Sequence, residues 1–112
     1  MGELTDARHA QERGEILRVL KEDYGARMTT VLTLLRALDA LGISLTPEGL
    51  AFHLEYLAEQ QYVDVTRARD APGFRRDRAG SGRPEEIRFC KLRPKGLQLL
   101  DGRIEEDPMV TF

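Results

Sequence analysis

The chain is poor in the groups that most often carry chemistry. It has one cysteine, Cys90, and two histidines, His9 and His53, in 112 residues. A lone cysteine excludes an internal disulfide and suits a reducing compartment. Metal sites need Cys, His or carboxylates gathered at ligand spacing. His9 and His53 fall on separate helices in the reading below, and Cys90 falls in a strand, so no metal site is expected. Cys90 reads as a small strand residue rather than a nucleophile. "RAGSGRP" has glycines but lacks the Gly-Lys-Ser/Thr end of a phosphate-binding loop. No apolar run approaches the ~20 residues of a membrane span. The opening "MGELTDARHAQERGE" is too polar and acidic for a secretory signal. Catalytic residues, cofactor, small-molecule ligand and membrane partner are therefore not expected, and the location is expected to be cytoplasmic.

What is present fits one domain with one core. Hydrophobic residues make up 41% and charged residues 32%, which is ordinary for a globular chain. The net charge is only −2, but it is unevenly spread. Residues 65–95 hold ten Lys/Arg against four Asp/Glu, or +6, which leaves −8 on the remainder. A basic segment on an acidic body points to a partner carrying negative charge. Phosphates qualify, and so does the acidic body of a second copy.

Periodicity divides the chain into helices and strands. Residues 6–23 read as a first helix, with Ile16, Leu17, Val19, Leu20 and Tyr24 at helical spacing, Asp6 as cap and Gly25 as stop. Residues 30–41 read as a second, in which Val31, Leu34, Leu35, Leu38 and Leu41 form one face. Thr29 or Thr30 caps it, and Gly42 ends it. "LTPEGL" starts a third helix, with Thr46 as N-cap, Pro47 at the first helical position and Leu45 and Leu50 as a hydrophobic staple. Leu50, Leu54 and Leu57 form its buried stripe. "YVDVTRA" and "EEIRFCKL" then alternate as strands, the second with Ile87 and Phe89 on one side. Between them lie about 17 residues with three Gly and two Pro, and loops beyond ~12–15 residues are usually functional or disordered. "RPKGLQLLDG" adds a short fourth helix, with Leu97 and Leu100 facing inward. Residues 103–112 are a tail without helical period, either an arm that docks on a partner or a frayed end.

Two leucine-faced helices joined by "ALGISLT", followed by a strand hairpin, resemble a winged helix-turn-helix. "LRPKGLQLL" is similar to the L-T-P-K-G-x-x-L-L that closes many of these domains, with Arg93 where the family usually has a Thr cap. The resemblance implies a mainly α fold with a β-hairpin wing (α+β), over residues 1–102, with the wing loop at about 69–85. Leu54 to Gln60 and Asp101 to Val110 also resemble small winged-helix proteins of Mu-like prophages, a likeness that brings no activity with it. Most winged helices are DNA-binding regulators, but many bind proteins instead.

The two roles can be weighed residue by residue. In a DNA-binding winged helix the outward face of the third helix enters the major groove. Here that face reads Glu48, Phe52, Glu55 and Glu59, and the helix has no Lys or Arg. Carboxylates lowered into a groove with one charge per ~1.7 Å of axis are repelled. One Glu can accept a bond from cytosine, but three need compensating cations. An outward Phe more often marks a protein contact. The wing argues the other way. Six arginines lie between Arg67 and Pro84. Arg67, Arg69, Arg75, Arg76, Arg78, Arg83 and Arg88 are the candidate phosphate contacts, because the guanidinium fork is always charged and binds phosphate bidentately. The blander reading is a solvated tip partly neutralised by Asp70, Asp77, Glu85 and Glu86. The sequence thus leads to a regulator-like homodimer whose contacts with double-stranded DNA are dominated by the wing. The alternative is a protein-interaction winged helix, of phage derivation, that touches no nucleic acid.

Overall fold

A computed structural model describes residues 2–24, 28–71 and 83–112, with side chains from Asp6 onward. The elements run α1 (Gly2–Lys21), β1 (Thr29–Thr30), α2 (Val31–Ala40), α3 (Pro47–Glu59), β2 (Val63–Arg67), a short 3-10 turn (Ala68–Asp70), β3 (Ile87–Leu92) and α4 (Pro94–Leu100). The described residues thus form a mixed α/β fold of four helices and a three-stranded antiparallel sheet of order β1-β3-β2.

The core forms where the helical stripes meet the sheet. Ile16, Leu17 and Leu20 of α1, Leu34 and Leu38 of α2, and Leu50, Leu54 and Leu57 of α3 pack with Val63, Cys90 and Leu92. Thr30 caps α2 by accepting from the Thr33 amide, and Thr46 caps α3 by accepting from the Gly49 amide at 3.0 Å, with Pro47 following. These bonds satisfy amides that a helix start leaves unpaired. Three helices end with the same device, in which the amide two residues past the cap reaches back to a carbonyl of the last turn. The bonds run from Ile43 to Leu38, Tyr62 to Leu57 and Arg103 to Gln98, each at 2.9 Å. The left-handed residue this needs is Gly42 after α2 and Gly102 after α4. After α3 it is Gln61, at φ 66°, a conformation that disfavours a side chain.

Several expectations are corrected. The first helix begins at Gly2, not at Asp6, and Tyr24 beyond it is exposed; Gly25 lies outside the described residues. Leu41 is exposed, because α2 ends at Ala40 and its stripe stops at Leu38. Thr29 and Thr30 form a strand as well as a cap, pairing with Cys90 and Phe89. In β3 the buried residues are Ile87, Cys90 and Leu92, with Phe89 only half-buried. A bulge explains this: Thr66 pairs with Phe89 but Arg67 pairs with Ile87, so Arg88 is an extra residue and the alternation changes phase. In α4 the buried leucine is Leu99, while Leu97 and Leu100 are half-buried at its flanks. Arg93 precedes α4 without a side-chain capping bond. Gly96 is needed because a Cβ there would run into the carbonyl of Tyr62.

The tail docks on its own chain. Val110 is buried, and the Thr111 amide donates to the Ala10 carbonyl at 2.9 Å. The buried Arg13 donates to the Met109 carbonyl at 3.2 Å, and its guanidinium stands 4.4 Å from the Tyr56 ring centre. Asp107 accepts from Tyr56 at 2.8 Å, from Tyr62 at 2.9 Å and from the Met109 amide at 2.9 Å. Burial acts to raise the Asp107 pKa, but these three donors outweigh it and hold the carboxyl below its ordinary value. Burial and the same hydrogen bond push the Tyr56 hydroxyl up to about 12.

Two outcomes follow from this docking. Gly14 sits in α1 beneath the tail, and a Cβ there would collide with the Thr111 carbonyl. Gly to Ala inside a helix ordinarily stabilises by ~1 kcal/mol, whereas Gly14→Ala is expected to destabilise by about 1–3 kcal/mol through overpacking, read as a lower urea midpoint. Asp107→Asn should cost about 1.5–3 kcal/mol, the value of hydrogen bonds to a charged acceptor. With its pKa lowered, Asp107 contributes stability above the ordinary carboxyl range, and this is lost as pH falls through the folded value. The variant should therefore also lack part of the wild-type acid limb in urea titrations below pH ~4.

Candidate functional site

The burial of Leu50, Leu54 and Leu57 sets the rotation of α3 and turns Glu48, Phe52, Glu55 and Glu59 outward, as their spacing predicts. Phe52 is 55% exposed. Carboxylates gather beside this face. A cleft of about 490 Å³ runs between the start of α3 and the base of the hairpin, and its apolar floor includes Val31, Leu54 and Ile87. Among the described residues four carboxylates line it, those of Glu48, Glu55, Glu85 and Glu86, with the Arg83 guanidinium.

The hairpin arginines are partly committed to the chain itself. Arg67 grips Glu55 with both nitrogens, at 2.7 and 3.2 Å, and also donates to the Glu85 carbonyl at 2.9 Å. That fork raises the Arg67 pKa and joins the outward face of α3 to the base of the β2–β3 hairpin. Arg69 lies 3.9 Å from Asp70, and Arg88 lies 3.3 Å from Glu86. Arg75, Arg76 and Arg78 lie outside the described residues. Glu59 stands apart from the cleft, at the end of α3.

A second grouping was not foreseen. The fold brings His9 and His53 together, with ring centres 5.1 Å apart. Glu12, one turn after His9, places Oε1 2.8 Å from His53 Nε2. Phe52 completes the cluster, its ring centre 5.5 Å from each imidazole. The expectation that the two histidines remain separate is thus corrected: they lie on different helices whose faces meet. The missed signal is on α3, where His53 stands three residues after Leu50 and four before Leu57, inside the buried stripe. His53 is 1% exposed. Burial holds its pKa below the ordinary value, and the Arg13 charge adds to this against the opposing bond to Glu12. Cys90 is buried too, and desolvation pushes its thiol up to about 12, so it offers no thiolate at neutral pH.

Comparison with family models, curated proteins and solved structures finds no match to the chain. The site is therefore interpreted from its own chemistry.

The buried His53 makes stability depend on pH in a definite direction. With its folded pKa depressed, the native state resists the proton that the unfolded chain accepts near pH ~6.5. Stability should be fully present above that value and fall on acidification, by at most ~1.4 kcal/mol per pH unit. Urea midpoints at pH 7.5, 6.5 and 5.5 should decline in turn, and His53→Asn should flatten the trend. A rise on acidification would mean instead that a charged His53–Glu12 pair forms in the fold.

Proposed function

We propose that the chain is a winged-helix binding module of the protein-interaction kind, whose cleft between α3 and the hairpin takes a cationic polypeptide segment. The observation that carries this reading is the glutamate lining of the cleft over an apolar floor, in which Glu48 and Glu85 have no arginine among the ion pairs of the described residues. A phosphate backbone brought there would meet like charge, whereas Arg or Lys side chains would gain charge-assisted hydrogen bonds. The Arg67–Glu55 fork is an internal example of the contact a partner would make. The chain itself carries a candidate occupant, the arginine-rich segment 67–84 of a second copy, which would make the protein a homodimer. The element order, with a hairpin behind two helices joined by a glycine turn, supports the winged-helix assignment. The acidic face supports a role without nucleic acid.

A second reading is favoured by the six arginines of residues 67–84. In it the wing alone approaches duplex DNA and the cleft stays away from it. The two readings separate in one pair of titrations. A peptide with the sequence of residues 67–84 should bind the full-length protein, and Glu48→Lys combined with Glu86→Lys should weaken it at least tenfold. A random duplex of about 20 base pairs should show no association at 50 mM salt. Salt-steep duplex binding, with a log–log slope near −0.9 per phosphate contact, together with no binding of the peptide, would replace the first reading by the second.

A further inference from the structure

The cluster at the α1–α3 junction has the make-up of a metal site. One ligand atom each from His9, Glu12 and His53 lies within 4.8 Å of the other two. Two imidazoles and one carboxylate are a donor set that suits zinc and its neighbours in the first transition row. We propose that His9, Glu12 and His53 bind a divalent transition-metal ion of the zinc class, which staples α1 to α3.

The geometry is close to what the ion needs. Donors bonded to zinc at ~2.0–2.1 Å in a tetrahedron stand about 3.4 Å apart. His53 Nε2 and Glu12 Oε1 already converge at 2.8 Å, so this pair opens by roughly half an ångström as the ion replaces the proton between them. The widest pair must close by at most about 1.4 Å. His9 can supply that movement, because it is only half-buried and stands on the first turns of α1. His53 and Glu12 are the fixed side of the site: His53 is locked in the core stripe, and the Glu12 side chain is 13% exposed. Three protein ligands leave one coordination position for water or for a group from a partner.

Two features set the strength. Arg8 lies 3.6 Å from the other oxygen of Glu12, and Arg13 is buried nearby against Phe52 and Tyr56. Arg8 is 80% exposed and therefore well screened, but Arg13 is not. The far nitrogen of His53, Nδ1, is buried without a hydrogen-bond partner among the described residues, so no outer carboxylate or carbonyl orients the ring in the way that strengthens tight sites. Both features weaken the site relative to a four-ligand structural zinc. The site is independent of what occupies the cleft.

The chain has only two histidines, so histidine-dependent binding identifies this site directly. Tag-free full-length protein titrated with Zn²⁺ at pH 7.5 should bind one equivalent by calorimetry, and Co²⁺ should give visible d–d absorption. The imidazole NMR signals of both histidines should shift together. His9→Ala and Glu12→Gln should each weaken Zn²⁺ binding at least tenfold. His9→Ala alters a half-buried side chain, so in EDTA it should melt with the wild type, which separates loss of a ligand from loss of fold. No binding by the wild type, or equal binding by both variants, would overturn the proposal.

Discussion

The rotational setting of α3 is the constraint on which the rest depends. Leu50, Leu54 and Leu57 are fully buried against leucines and isoleucine of α1 and α2. Each such side chain is worth ~1.5–3 kcal/mol relative to exposure. Turning the helix by one residue would move this stripe by about 100°, replacing the leucines by Ala51, Glu55 and Ala58 in one direction, with a carboxylate in the core where an unpaired charge is prohibitive, or by Gly49, His53 and Tyr56 in the other. The same rotation fixes three other directions at once. It aims Glu48 and Glu55 at the hairpin cleft, His53 at α1, and Tyr56 at the tail. The acidic cleft, the histidine cluster and the tail latch are therefore consequences of one packing decision.

The tail gives that decision a second support. Tyr56 leaves α3 and Tyr62 leaves the turn after it, and both donate to Asp107. Arg13 reaches the same region from α1 and is shared between the Met109 carbonyl and the Tyr56 ring. A guanidinium this buried needs a carbonyl and an aromatic face, because water no longer solvates it. The tail supplies the first and α3 the second. The C-terminal residues thus close a polar layer over the junction of α1 and α3 that the leucine core alone leaves open.

Much of this was legible, and what was not had a physical reason. The caps at Thr30 and Thr46, the stop at Gly42 and the stripes of α2 and α3 depend on neighbours within four residues, which a sequence displays directly. The outward placement of Glu48, Phe52, Glu55 and Glu59 followed from the same arithmetic. Non-local features were hidden. The bulge at Arg88 depends on register with β2, so alternation alone put Phe89 where Cys90 is buried. The strand at Thr29 and Thr30 exists only because β3 passes beside it. His9 and His53 are 44 residues apart in the chain, and only the crossing of α1 and α3 joins them. Within α3 no cation compensates Glu55, whereas Arg67 reaches it from twelve residues away.

That last pair refines the meaning of the charge asymmetry. A basic segment and an acidic body on one chain attract each other first, at the effective concentration of a covalent link. Arg67 satisfies that attraction at Glu55, and Arg69 and Arg88 sit beside Asp70 and Glu86. Glu48 and Glu85 have no such arginine among the ion pairs of the described residues, and they line the cleft with Glu86. A small part of the acidic charge, Glu48 with Glu85, thus faces a concave surface with an apolar floor. Surface ion pairs on open ground are worth little because water competes for both partners. In a cleft, burial of aliphatic stems adds apolar contact to charge pairing, as the long arginine side chain permits. Pairing of both kinds at one place is what a protein segment can offer and a phosphodiester backbone cannot.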